Sequence, residues 1–344
     1  MRRSLFFWRL GGFLLWVAAG YPFLLLAMSV LHLLLPQRTG LLAITQIFAP
    51  YLFLPLLLLL PLALIRRARA LRISLALCGL IFLLRFTPRL IAPQVSDAPT
   101  GLRLNVMTWN VEGGGQRDAI RTALAAKKAD VVALQEVYWD WIQDDPTLSE
   151  LYPYRFGLPP RDAFSGMLLL SVYPIVEQRV PDFSPDLWRY PRLLQARIDL
   201  GQGRNLQVIA SHPSPPGRRC SLPTCYDSEL RDRRISAIRA LADPALQHGQ
   251  PALLMGDFNL TEREPAYTDP SRGLHDAYRQ VGIGAGSTWG PHGFLRDRGI
   301  PLLRIDYLFS SPDLIPLSAD VDCTSLSSDH CILRGSFELR EPKP

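Results

Sequence analysis

Apolar and polar positions fall into two unlike regimes along this chain. Up to residue 91 the apolar residues run on without a period. Leu10 to Leu35, Leu41 to Ile65 and Ile73 to Ile91 form three near-continuous stretches; the first two exceed, and the third approaches, the roughly 20 residues a helix needs to cross a bilayer. The first is too long for a cleaved signal peptide, and a second follows at once, which argues for spans. The third is weaker, because Arg85 and Arg89 interrupt it and its uncharged core is only Ile73 to Leu84. For it to span, Arg85 must snorkel; an interfacial helix is the alternative. Ile91 to Gly101, with Pro93 and Pro99, reads as a linker. From Leu102 the pattern turns to short β-branched and apolar runs separated by helical spacing and turn signals. It predicts strands over 102–110, 130–135, 166–171, 194–200, 205–211, 252–255, 304–309 and 331–339, and helices over 117–128 and 228–241. Strands with interspersed helices predict an α+β layered domain. No internal repeat or low-complexity tract is visible. The expected organisation is an all-α transmembrane segment of about three helices (1–92), a linker (93–101) and a folded domain (102–340).

Charge sharpens this division. The 344 residues carry a formal net charge of +6, but the first hundred hold ten arginines, no lysine and one acid, Asp97. The remainder holds 27 bases and 30 acids. The high pI therefore reports membrane-flanking arginines and not a basic face on the folded domain, as wide contact with a nucleic-acid backbone would need. Arg2, Arg3 and Arg9 precede the first stretch, and Arg66, Arg67, Arg69 and Arg72 lie between the second and third. The positive-inside rule then puts the N-terminus in the cytoplasm. After three spans the folded domain lies outside, across a bacterial plasma membrane; after two it stays inside. Four of the five cysteines follow residue 100, and Cys220 and Cys225 are close neighbours flanking Pro223. A disulfide between them fits an oxidising compartment; two free thiols are the other reading.

The residues that carry chemistry stand where predicted strands stop. Asn110 and Glu136 each follow a strand, and Asp257 and Asn259 follow a third. Asp306 lies in Arg304-Ile305-Asp306-Tyr307, and Asp329 and His330 precede the last strand. Strand ends on a rigid sheet hold side chains to the tolerance catalysis requires. Carboxylates with Asn amides, and no Cys or His pair at ligand spacing, suit a hard oxygen-liking cation such as Mg²⁺. His212 and His330 then supply proton transfer or stabilise phosphoryl oxygens. His32, His248, His275 and His292 have no motif around them and read as non-catalytic.

Six ordered motifs carry a resemblance: Thr108-Trp109-Asn110-Val111, Leu134-Gln135-Glu136-Val137, Ser211-His212-Pro213, Gly256-Asp257-Phe258-Asn259, Arg304-Ile305-Asp306-Tyr307 and Ser328-Asp329-His330. Together they resemble the endonuclease/exonuclease/phosphatase superfamily over about residues 102–340. The resemblance implies a DNase I-like four-layer α+β sandwich, two mixed β-sheets face to face with helices outside. It implies metal ligation by Asn110 and Glu136, with Asp329 near the metal. It assigns Asp257 to the attacking water, Asn259 to holding the phosphate, His212 to the phosphate or leaving oxygen, Asp306 to support, and His330 to the scissile phosphate. The general base is shared between the Asp257 and His330 positions. Ser165-Gly166 and Thr288-Trp289 resemble positions beside the cleft. The expected cofactor is Mg²⁺, with Mn²⁺ as a substitute.

The membrane segment and the His-Pro-x-Pro-Pro form around His212 resemble bacterial membrane-bound members such as the VanJ-type proteins, which implies a lipid-linked or other extracytoplasmic phosphoester as substrate. An extracytoplasmic nuclease is the alternative, with Arg218, Arg219, Arg231, Arg233 and Arg234 tracking a phosphate backbone diluted by Asp227, Glu229 and Asp232. A non-catalytic membrane adaptor is a third reading, against which the intact set of acids and histidines stands.

Overall fold

A computed structural model describes residues 20–66, 69–91, 101–114, 117–138, 145–159, 166–184, 187, 192–216, 226–291, 295–324 and 327–340. The chain divides into two compact units. One takes residues 1–88 with the short segments 220–226 and 263–265; the other takes 89–219, 227–262 and 266–344. Cys220 and Cys225 lie outside the described residues, as do Ser165 and His292.

The first unit is helical: α1 (Gly20–Leu34), α2 (Gly40–Ile47), a 3₁₀ turn (Ala49–Phe53), α3 (Leu56–Arg66) and α4 (Arg69–Phe86). Leu25, Phe53, Leu56, Ala63, Leu71, Leu75 and Cys78 pack inward, and the rings of Phe53, Phe82 and Phe86 lie within 6 Å of one another. The outward positions are apolar as well: Leu58 is 80% exposed and Leu84 77%. Among the described residues no single helix is long and apolar enough to cross a membrane. One pair, Gly40–Ile47 with Ala49–Leu64, meets that test by length and composition but bends by 82°. The stretch expected to form a second span over 41–65 is therefore a broken element. Pro50, which lacks an N–H and clashes with the preceding turn, stands just past the break, in the first turn after Phe48. The Arg85 guanidinium donates to the Ser29 carbonyl at 3.2 Å and lies over the Phe86 ring.

The second unit is built from two six-stranded sheets. In chain order its elements are β1 (Leu102–Asn110), α5 (Arg117–Lys127), β2 (Val131–Gln135), α6 (Pro146–Leu151), β3 (Tyr154–Leu158), β4 (Met167–Ser171), β5 (Ile175–Arg179), β6 (Leu193–Asp199), β7 (Asn205–Ser211), α7 (Glu229–Ala240), α8 (Asp243–Gln247), β8 (Ala252–Asp257), β9 (His275–Asp276), α9 (Ala277–Val281), β10 (Asp306–Ser310), β11 (Leu314–Asp322) and β12 (Ile332–Leu339). The sheet orders are β11-β12-β1-β2-β4-β3 and β5-β6-β7-β8-β10-β9. Each sheet has one parallel pair at its centre, β1 with β2 and β7 with β8, and antiparallel pairs on both sides. No repeat in the sequence announces this shared pattern.

Alternation within the strands makes the layers. Side chains point to opposite faces in turn, and here both faces are apolar. Leu104, Val106, Val131, Ala133, Met167 and Leu169 of one sheet meet Leu194, Ala196, Val208, Ala210, Leu253 and Met255 of the other in a shared core. Met107, Trp109, Val132 and Leu134 face α5 and α6 through Ile120, Leu124 and Leu148. Ile209, Leu254 and Phe309 face α7 through Ile235 and Ile238. Two mixed sheets flanked by helices result, as the DNase I-like arrangement requires. The structure adds four strands that the pattern did not predict, β3, β5, β9 and β11, and all four are sheet edges.

Candidate active site

The parallel pair at the centre of each sheet ends on two polar side chains. Asn110 closes β1 and Glu136 follows β2; His212 follows β7 and Asp257 closes β8. The sandwich brings these four together diagonally. The Asn110 amide donates to Asp257 Oδ2 at 3.1 Å, and His212 Nε2 lies 3.5 Å from both Glu136 Oε1 and Asp257 Oδ2. Asn110 Oδ1 also accepts from the Glu112 N–H at 3.0 Å, so this amide ties a strand end in one sheet to a carboxylate in the other. Residues 257 and 306 face each other across the β8–β10 ladder, and Asp306 Oδ2 lies 2.9 Å from His330 Nδ1. His330 Nε2 is 3.7 Å from Asp257 Oδ2. The Asn259 N–H donates to Asp257 Oδ1 at 2.8 Å, and its amide reaches the Pro213 carbonyl at 3.0 Å. Asp329 accepts from Trp289 Nε1 at 2.8 Å, while its own N–H donates to Glu112. All eight residues expected from the sequence thus belong to one constellation. His248 and His275 lie outside it, the former turned to the Pro244 carbonyl.

The backbone is held in costly shapes at this site. Glu112, Glu136 and Asn259 all have positive φ, between 48° and 55°, a region L-residues avoid and which clusters at functional sites. Gly256 has φ 139°, and a Cβ there would stand 2.0 Å from the Ser211 carbonyl oxygen. Only glycine lets β7 and β8 approach closely enough to set His212 beside Asp257.

Electrostatics follow from burial. Glu136 is pushed up to about 7, chiefly by desolvation, while Asn110, His330 and Arg192 draw it back. Asp257 is raised, by burial first and then by Asp306, against the pull of His330. Burial alone would lower His330, but Asp306 and Asp257 outweigh it and hold the imidazole cationic well above histidine's ordinary range.

Two groups of residues could hold a cation. Asp257, Asp306 and His330 present ligand atoms within 4.8 Å of one another. In that trio, however, Asp306 is committed to His330, and a protonated imidazole has no lone pair to offer. Asn110 and Glu136 form the other group: oxygen donors around a buried carboxylate whose charge lacks full compensation, with Asp329 on the same side. The donor set there fits a hard divalent ion.

Two site residues were missed in the sequence. Arg192 is buried at the head of β6; its carbonyl accepts from the His212 N–H at 2.8 Å and its charge acts on Glu136. The only signal was a lone arginine before an apolar run. Glu112 opens the Glu-Gly-Gly-Gly run that follows β1, where the glycines signal only the end of a strand. Conversely, the alternative nuclease reading needs Arg231 on a phosphate backbone, but it is buried, donating to the Asn259 carbonyl at 2.7 Å and to Asp232. Arg234 donates to the Leu187 carbonyl; Arg218 and Arg219 lie outside the described residues.

A sequence profile of the endonuclease/exonuclease/phosphatase family matches residues 107–330. The chain belongs to that family. Membership supports hydrolysis of phosphoester bonds as the activity. No curated protein matches the sequence. Among solved structures, the fold is similar to a family protein from Beutenbergia cavernae (24% identity, TM-score 0.51, covering 69% of this chain and 72% of that one). It is similar to D. rerio TDP2 complexed with single strand DNA product (21%, 0.54, 69% and 99%). It is also similar to the 3′ phosphatase NExo from Neisseria bound to a product DNA hairpin (19%, 0.56, 68% and 99%).

Proposed function

We propose that this chain is a membrane-anchored, Mg²⁺-dependent phosphatase or phosphodiesterase acting on a lipid-linked or other extracytoplasmic phosphoester. The observation that carries the reaction class is the buried constellation at four strand ends, with a carboxylate–amide pair on one side and a carboxylate–imidazole pair on the other. A divalent ion, when bound, supplies charge that offsets the phosphoryl oxygens and polarises the phosphorus centre. Asn110 and Glu136 would hold it, with Asp329 beside them; Mn²⁺ would substitute. Asp257, raised by burial and fixed by Asn110 and Asn259, is suited to orient the attacking water and take its proton. His330 is cationic and aimed past Asp257, so it serves as a donor to a phosphoryl oxygen and not as the base; Asp306 orients it. His212 stands between Glu136 and Asp257 to contact the phosphate or assist the leaving oxygen. Asn259 holds the phosphate.

The anchoring and the compartment rest on other observations. Leucines exposed on the helical unit are costly in water and comfortable in lipid. The domain contains a Cys323–Cys331 disulfide, which suits an oxidising compartment. These features support the resemblance to VanJ-type membrane proteins. The burial of Arg231 and the engagement of Arg234 weigh against a long nucleic-acid track. Nuclease action is the second reading, favoured by the DNA bound in the solved structures of similar fold. The test offers the purified protein, with Mg²⁺, bis-p-nitrophenyl phosphate, a polyprenyl pyrophosphate and plasmid DNA side by side. Cleavage of the lipid phosphate and the chromogenic diester, with DNA intact, is expected. Preferential cleavage of DNA overturns the substrate assignment, and no hydrolysis of any substrate overturns the function.

A further inference from the structure

The Cys323–Cys331 pair lies outside the constellation but touches its most constrained loop. β11 ends at Asp322, opposite Ile332, the first residue of β12. The two cysteines are the next residues beyond that pair, with Cα atoms 4.5 Å apart, the spacing of directly opposed strand positions. The bond closes the neck of a loop whose last three residues before Cys331 are Ser328, Asp329 and His330. Hydrogen bonds hold those three as well: backbone bonds run from the Gly290 N–H to the Asp329 carbonyl at 3.1 Å and from the Cys331 N–H to the Thr288 carbonyl at 2.6 Å, and side-chain bonds add to them. Ser328 Oγ donates to the Asn110 carbonyl at 2.6 Å and accepts from the His330 N–H at 3.0 Å. Asp329 is held by Glu112 and Trp289, Trp109 Nε1 reaches the His330 carbonyl, and Asp306 holds the His330 ring. On the far side of the neck, β11 is a sheet edge paired only with β12. Its pairing is continuous from Ser318 to Asp322, and Lys127 and Thr324 bind the Asp322 carboxylate; the register shifts farther along, between Pro316 and Ser318, where proline cannot donate to a ladder. The disulfide ties this edge to the residue next to His330.

We propose that the Cys323–Cys331 bond is a positioning element for Asp329 and His330, so that hydrolysis by this site requires the oxidised pair. The proposal rests on the hydrolase reading above. It makes the activity conditional on compartment. In a reducing environment the two thiols leave the loop anchored by hydrogen bonds alone. Exchange with a disulfide-bearing oxidant forms the protein bond, and the oxidant takes up the two electrons and two protons as a dithiol. A displacement of about 1 Å in a reacting group can lower turnover roughly 100-fold, so a loop closed by oxidation acts as a switch without changing any catalytic side chain.

The test uses the full chain in detergent with Cys220 and Cys225 replaced by serine, so that reductant addresses the Cys323–Cys331 pair and thiol counting reads it above the one buried free thiol, Cys78. Hydrolysis of bis-p-nitrophenyl phosphate is measured before reduction, after dithiothreitol treatment and its removal, and after reoxidation with glutathione disulfide. In parallel, diethyl pyrocarbonate labelling of His330 and His212 is read by mass spectrometry. Reduction is expected to lower kcat by about 10- to 100-fold, with KM moving less than about threefold. It should make His330 reactive while His212 stays protected, and reoxidation should reverse both effects. Cys323→Ser/Cys331→Ser should behave as the reduced protein whatever the oxidant. A fully reduced protein with kcat unchanged and His330 still protected overturns the inference. So does labelling of both histidines together with loss of the cooperative melt, because the bond then supports the whole domain and not this loop. If the oxidised protein hydrolyses nothing, the hydrolase reading fails, and the labelling difference alone decides whether the bond positions His330.

Discussion

Burial lifts the Glu136 carboxyl from 4.5 to about 7, and that shift links the site's chemistry to its stability. Between those values the folded state binds more protons than the unfolded chain, so stability falls as pH rises through that window. Glu136→Gln is therefore expected to stabilise the metal-free protein above pH 7 by about 1–3 kcal/mol, with no gain below pH 4.5. Melting curves in a chelator at both pH values check this. Mg²⁺ should then raise the Tm of the wild type, and the variant should need a higher Mg²⁺ concentration for the same rise. The same competition predicts an acid limb of activity that moves to lower pH as Mg²⁺ rises, since proton and cation seek one carboxylate. His330 runs the same way at higher pH: held cationic by Asp306 and Asp257, it contributes stability that is fully present below about 6.5 and is lost as pH climbs to about 10. Asp257→Asn removes a group acting on the nucleophilic water, so kcat should fall by about 10² to 10⁴ with metal affinity retained. A Mg²⁺ titration of both variants separates the roles. Equal rescue of both by metal would make Asp257 a ligand and sink the division.

At the scale of elements, the site depends on how closely β7 and β8 run side by side. The hydrogen-bonded pair Ser211–Gly256 sits one residue before His212 and Asp257, and the missing Cβ of Gly256 is what the Ser211 carbonyl packs against. Gly256→Ala must push the strands apart in a backbone region unfavourable to alanine. A loss of about 2 kcal/mol or more is expected, together with a fall in kcat that no excess of Mg²⁺ restores. Chemical denaturation and steady-state kinetics on one preparation test it; a variant with unchanged kcat would show that the spacing of these strand ends is not critical. The arrangement also explains which elements were readable. β1, β2, β4, β6, β7, β8, β10 and β12 are flanked by neighbours on both sides and covered on both faces, so their apolar runs are dense. The edge strands β3, β5, β9 and β11 are paired on one side only, and their sequences are correspondingly mixed. In β5 four of five residues are exposed, and β11 carries Pro316.

For the molecule as a whole, the question is what covers the apolar face of the helical unit. Leu57, Leu58, Leu64, Leu83 and Leu84 are all more than 60% exposed, at roughly 25 cal/mol for each Å² left in water. The chain is expected to float with liposomes after gradient centrifugation and to resist extraction by high salt. The arginine asymmetry predicts an active C-terminal alkaline phosphatase fusion and a dark green fluorescent protein fusion. The reverse pattern would mean that the region 73–91 does not carry the chain across. The 82° bend within 40–64 makes this experiment decisive, since a bent pair re-enters or crosses by composition alone.

What the sequence determined by itself was the set of polar residues at strand ends and the apolar strands that end there. A six-motif order and a both-faces-apolar pattern are local properties, written residue by residue. Everything that depends on two distant segments meeting was decided by the tertiary structure. The diagonal contacts of Asn110 with Asp257 and Glu136 with His212 join opposite sheets. Arg192 acquires its place because the β6–β7 ladder runs on by one residue and sets its carbonyl against the His212 N–H. Arg231, exposed by any count of charges, is drawn under Asn259 by α7. The Cys323–Cys331 bond follows from the β11–β12 register, which an edge strand with a proline does not announce. In each case the deciding quantity is burial, and burial is a property of the packed sheets and not of a stretch of chain.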